Sequence, residues 1–148
     1  MNRLRRVLYQ DGERGSASLE AAIVVPAFIL FVGLLIYAGR TAVALQGVES
    51  VAYDAARSAS IARTHPEAQE RAARTVDYAL VAQGLRCASY DIDLDTSGLD
   101  KPVGVPGTVT ATVSCTIDLA DLTVPGVPGQ RTVSATMSSV VDAYRAAP

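Results

Sequence analysis

The sequence predicts an α+β protein: a long N-terminal transmembrane helix that extends outside the membrane, a second helix, and a small three-stranded antiparallel sheet. Three observations predict it. Residues 21–39 read AAIVVPAFILFVGLLIYAG without one charge. Residues 41–82 keep a helical period in their apolar positions, broken only at His65-Pro66. From Cys87 onward the period becomes two, which is the alternation of a half-buried strand.

The nineteen uncharged residues cover roughly 28 Å as a helix, close to the hydrocarbon thickness of a bilayer. A buried soluble helix of that length would carry a polar stripe, and none is present. Arg3, Arg5, Arg6 and Arg14 all precede the run, whereas Arg40 stands alone after it. Basic residues beside a span stay on the cytoplasmic side, so the N-terminus is expected inside and the chain from Arg40 outside. Pro26 falls within the span, where it removes a hydrogen bond to the carbonyl of Ala22 and kinks the helix.

Glu20 is the residue a plain anchor does not need. It stands directly before the apolar run and five residues after Gly15, in the tract Arg14-Gly15-Ser16-Ala17-Ser18-Leu19-Glu20. With a basic tail before the glycine and an apolar helix after the glutamate, RGSASLEAAIVVPAFILFVGLLIYAGR resembles the N-terminal signature of the type IV pilin-like superfamily. It resembles more closely that of the TadE-like pseudopilins of tight-adherence systems, over about residues 12–63. That resemblance implies cleavage by a prepilin peptidase between Gly15 and Ser16, leaving Glu20 as the fifth residue of the mature chain. It also implies that Glu20 guides assembly by charge pairing. The physical logic is that cleavage creates an α-amine at the membrane surface, and a carboxylate one turn away, on the same or a neighbouring helix, neutralises it.

Two other fates of this segment stay open. Ala42-Val43-Ala44 offers a small-x-small signal-peptidase site, although the run is longer than a signal core and Arg40 intervenes. The other is a plain uncleaved anchor.

Beyond the span, Ala44, Val48, Ala52, Ala55, Ala59 and Ala62 form an apolar stripe at steps of three and four, opposite Gln46, Ser50, Tyr53, Arg57 and Ser60. One helix of roughly 65 Å from about Ala17 to about Ile61 is the expectation. The small pairs Ala38/Ala42, Ala52/Ala56 and Ala55/Ala59 permit close helix approach, either within the chain or to a second subunit. Pro66 opens the next helix, with Thr64 or His65 as cap and Glu67 and Glu70 in its first turn. Ala68, Ala72, Val76 and Leu80 form its apolar face, Glu67/Arg71 and Glu70/Arg74 pair outside, and Gly84 stops it.

In the β region Tyr90, Ile92 and Leu94 alternate with Asp91, Asp93 and Asp95; Val109, Ala111, Val113, Cys115 and Ile117 alternate with threonine and serine; Val133, Ala135 and Met137 do likewise. The connections DTSGLDKPVGVPGT and DLADLTVPGVPGQ carry Pro-Gly turn signals and read as exposed loops. Cys87 and Cys115, the only cysteines, read as a disulfide outside the membrane. Cys115 falls on the apolar face and Cys87 with the aspartates, so the bridge requires an irregular start to the first strand. Asp91, Asp93 and Asp95 have calcium-loop spacing, but Thr96 and Pro102 stand where that loop needs glycine and glutamate, so a solvated strand face is the simpler reading.

Composition points to a structural component. There is no tryptophan, and both phenylalanines lie in the span, so the outer part has no large aromatic platform. The net charge of −2, without a basic cluster outside the tail, argues against nucleic acid. His65, the one histidine, has no evident partner, and no nucleophile–base or metal-ligand spacing is found, so no enzyme activity, cofactor or metal is expected.

The organisation is thus a cytoplasmic leader at 1–15, a transmembrane helix at 16–40, an extracytoplasmic helical hairpin at 41–84 and a small β region at 85–148. The expected localisation is the cytoplasmic membrane, single-pass, with the C-terminal domain outside. The resemblance implies a minor pseudopilin in tight-adherence pilus assembly or a related secretion system. Its partners would be the membrane, the prepilin peptidase, other pilins and the assembly platform. The alternative is a signal-anchored extracytoplasmic binding protein unrelated to filaments.

Overall fold

A computed structural model describes the backbone of residues 2–122 and 125–144, with side chains from Leu19 onward. The chain forms α1 (Asn2–Ser60), α2 (His65–Ala82), β1 (Cys87–Asp95), β2 (Gly107–Asp118) and β3 (Gln130–Val141), with short 3₁₀ turns at Ser97–Asp100 and Ala120–Leu122. The three strands form an antiparallel sheet in the order β1-β2-β3.

Helix α1 is one uninterrupted element of 59 residues, about 88 Å long, with Pro26 inside it. The apolar pattern predicts a start near Ala17, whereas the helix begins at Asn2. Arg, Leu, Gln and Glu dominate the first turns, and their helix propensity outweighs Gly12 and Gly15, each of which costs about 1 kcal/mol relative to alanine. The stretch Leu19–Ser60 includes a segment long and apolar enough to cross a membrane. Its apolar side chains from Leu19 to Ile36 are exposed, so nothing in the domain covers them.

Further along, α1 lies between α2 on one side and β2 and β3 on the other. That position explains why more of it is buried than a single stripe: Val51 and Ala56 join Val48, Ala52, Ala55 and Ala59 at zero exposure. The Ala52/Ala56 and Ala55/Ala59 pairs are consumed by this packing within the chain, while Ala38 and Ala42 remain exposed. Alanine on both sides of a helix lets two layers approach its backbone closely, which suits a core with no large aromatic side chain. Ser60, placed on the polar side by the sequence, is buried; its hydroxyl reaches Ser139 on β3 at 3.0 Å and the Arg57 carbonyl at 2.9 Å.

Thr64 caps α2 by accepting from the Glu67 amide, Pro66 lies in its first turn, and Gly84 ends it at φ 67°. Ala68, Ala72, Val76, Ala79 and Leu80 are its buried face. The outer ion pairs are Arg71–Glu67 at 2.8 Å and Arg74–Glu70 at 3.5 Å. His65 has partners that its isolation in sequence concealed: its ring nitrogens lie 2.7 Å from Thr96 Oγ1 and 2.8 Å from Asp100 Oδ1, tying the start of α2 to the turn after β1.

The sheet has two unlike faces. Val109, Ala111, Val113, Cys115 and Ile117 point into the core. On the opposite face, hydroxyl pairs link β2 to β3 at every second rung: Thr110–Ser138, Thr112–Thr136, Ser114–Ser134 and Thr116–Thr132, all at 2.9 to 3.0 Å. Asp91, Asp93 and Asp95 extend this polar face across β1, opposite Ser114, Thr112 and Thr110.

Candidate functional site

The residues singled out by sequence fall into three separate places. The Gly15-Ser16 bond lies inside the helical backbone of α1, and the side chain of Ser16 lies outside the described residues. Glu20 stands one turn further on, exposed and without a partner among the described residues. Pro26 follows within the same exposed apolar stretch.

Cys87 and Cys115 are bonded, with Cα atoms 5.4 Å apart. The strand pairing shows how two residues of opposite parity meet. Ser89 pairs with Thr116 and Cys87 with Ile117, so Ala88 is an extra residue on β1. This bulge turns Cys87 to the core face, on the diagonal from Cys115.

A third place was not singled out by sequence. The β2–β3 connection, read there as an exposed loop, folds back on the end of the apolar helix. Asp121 Oδ2 accepts from Arg40 Nη1 at 2.6 Å. Leu119, Leu122, Val127 and Pro128 line a hollow of about 210 Å³ together with Tyr37. Leu119 is buried, and Tyr37 and Leu122 pack half-buried against the core. The Tyr37 hydroxyl oxygen is buried with no hydrogen-bond partner among the described residues. The available signal was helical phase: Gly33, Tyr37, Thr41, Ala44 and Val48 continue one stripe from the span into the core, and each is at least half-buried.

Among the described residues outside the apolar stretch, three groups titrate away from their ordinary range. The Arg63 amide, then the Arg71 guanidinium, hold Glu67 low. The Ser97 amide does the same for Asp95. The Tyr90 phenol is pushed up because it donates to Asp77, with partial burial and the aspartate's charge adding to it.

A groove of about 620 Å³ beside α1, α2 and β3 is lined by Asp54, Arg57, Ser60, Tyr78 and Ser139 among others. Its serines bond to each other and to a carbonyl, and no histidine lines it. No group of three His, Cys, Asp or Glu side chains able to hold a metal occurs among the described residues.

A single apolar helix carrying one small α+β domain defines the class, a protein with the build of a single-pass membrane anchor. Residues 15–57 match the TadE-like protein family, so the part of α1 from the Gly15-Ser16 bond through the span and into the domain is TadE-like in sequence. The match covers under a third of the chain and none of α2 or the sheet. No curated protein and no solved structure matches the chain.

Proposed function

We propose that this protein is a minor pseudopilin, a structural subunit of tight-adherence pilus assembly or of a related secretion system. The observation that carries this reading is the coincidence of the TadE-like match with its chemistry. The match starts at Gly15, includes Ser16 and Glu20, and runs through an apolar helix that the domain leaves uncovered. Prepilin peptidase cuts between Gly15 and Ser16, and the new α-amine of Ser16 pairs with a Glu20 carboxylate. Cleavage requires the helix to open locally, and Gly12 and Gly15 lower the cost of opening by about 1 kcal/mol each. The exposed face from Leu19 to Ile36 then docks on other pilins or on the platform. The exposed positions Ala38 and Ala42 are available for the same contact, whereas the alanine pairs further along are not.

The mature N-terminus tests this reading. Mass spectrometry in cells with and without a prepilin peptidase should give a start at Ser16 only when the peptidase is present, and Gly15→Leu should abolish it. A start at Leu45, or an uncut chain in both strains, would overturn the proposal. With cleavage intact, Glu20→Ala should lower incorporation into the assembled structure.

A further inference from the structure

We propose that the β2–β3 connection is a membrane foot: residues 119–122 and 125–129 enter the phospholipid leaflet beside the span on the domain's side, with the Arg40–Asp121 pair at the headgroup boundary. The inference rests on the reading of residues 21–39 as a membrane span, and it holds for either orientation of that span.

Depth is the first argument. With the apolar run centred on Leu30, Arg40 lies about 15 Å from the bilayer midplane and Tyr37 about 10 Å, while half the hydrocarbon core is about 15 Å. Asp121 touches Arg40, and Leu119, Leu122, Val127 and Pro128 surround the hollow beside Tyr37. Residues that reach Tyr37 therefore reach the leaflet.

Charge is the second. Asp121 is the one charged residue from 119 to 129, and it is neutralised by Arg40 at 2.6 Å. A lone carboxylate at the hydrocarbon edge is costly, whereas a hydrogen-bonded pair with an arginine that can reach the headgroups is tolerated there. Asp118 and Arg131, which flank the connection, are exposed at its base on the domain's side.

The backbone supplies the third. In lipid every free N–H is a penalty. Pro125 and Pro128 have no N–H to satisfy. The Leu119 amide donates to the Gly129 carbonyl, the Leu122 amide to the Leu119 carbonyl, and the Ala120 amide to Asp118 Oδ1. The other long connection, residues 96–106, lies at the opposite end of the sheet and carries Asp100 and Lys101.

Because the chain has no tryptophan, single tryptophans report depth without background. Full-length Val127→Trp, Phe31→Trp and Val103→Trp would be placed in two sets of phosphatidylcholine vesicles, one with acyl chains brominated near the carbonyl, the depth of residue 127, and one with acyl chains brominated near the terminal methyl, the depth of residue 31. Emission of Val127→Trp and Phe31→Trp should fall relative to unbrominated lipid, while Val103→Trp should keep its emission. Quenching at Phe31→Trp without quenching at Val127→Trp would overturn the foot and leave the span standing. Absence of quenching at both would overturn the span and the foot together. The wild-type chain supplies a second measurement that no substitution can disturb. In nanodiscs with a headgroup nitroxide, the amides of Leu122 and Val127 should broaden and those of Val103 and Val105 should not; equal sharpness at all four would overturn the proposal.

Discussion

Gly98 and Gly107 show at the scale of single residues how closely this small domain is packed. A Cβ on Gly98 would lie 2.1 Å from the Thr108 carbonyl oxygen, and one on Gly107 would lie 2.2 Å from the Gly98 carbonyl oxygen. Backbone cannot step aside as a side-chain end can. Gly47 makes the contrast: the three atoms nearest its Cβ would all belong to the Leu85 side chain, Cδ1 at 2.9 Å and Cδ2 and Cγ at 3.2 Å, a group that can turn aside, and it sits mid-helix, where alanine gains about 1 kcal/mol over glycine. Gly98→Ala should thus destabilise by about 2 to 4 kcal/mol, and Gly47→Ala should stay within about 1 kcal/mol of wild type, as read by urea unfolding. None of this is visible in sequence, because the two glycines that cannot change and the one that can differ only in what packs across from them.

Between elements, Tyr90 on β1 donates to Asp77 on α2 and is the described hydrogen bond that joins that helix to the edge of the sheet. Its folded-state pKa is raised, so the stabilisation it gives is complete below the unfolded tyrosine pKa and is lost as pH rises through the folded value. Unfolding followed from pH 8 upward should show stability falling above about pH 10, with Tyr90→Phe removing part of that fall. Glu67 and Asp95 act at the other limb: their lowered values give stability that is present above the ordinary carboxylate range and is lost as pH falls through the folded values. The helices and strands themselves were legible in advance, since period, Pro66 and Gly84 mark them. What joins them was not, as the His65 contacts to Thr96 and Asp100 span more than thirty positions in sequence.

The whole outer domain has a core of valine, alanine and a few leucine and isoleucine side chains, with no phenylalanine or tryptophan in it. So thin a core makes the covalent bond between β1 and β2 a large share of the stability. In the chain-entropy model the bridge, at a sequence separation of 28, contributes about 3.6 kcal/mol, so Cys87→Ser with Cys115→Ser should lower unfolding free energy by about that amount and bring the domain close to unfolding at 37 °C. Calorimetry of the full chain in lipid, with and without reductant, checks it: a midpoint unmoved by reduction would contradict it.

Local periods in the sequence mark the two helices, the three strands and the apolar stretch of α1: nineteen uncharged residues, alanines at steps of three and four, strands of period two; they do not mark the start of α1, where no apolar period runs. The resemblance over Gly15–Glu20 was legible too, because those residues fall within one short tract. Tertiary packing alone selects which alanines the chain uses internally, how a bulge at Ala88 carries Cys87 to the core face, and that Asp121, 81 positions away in sequence, comes down on Arg40. Those outcomes depend on the strand register and on which helix phase faces the sheet, and both are fixed by packing between distant segments, which no local pattern records.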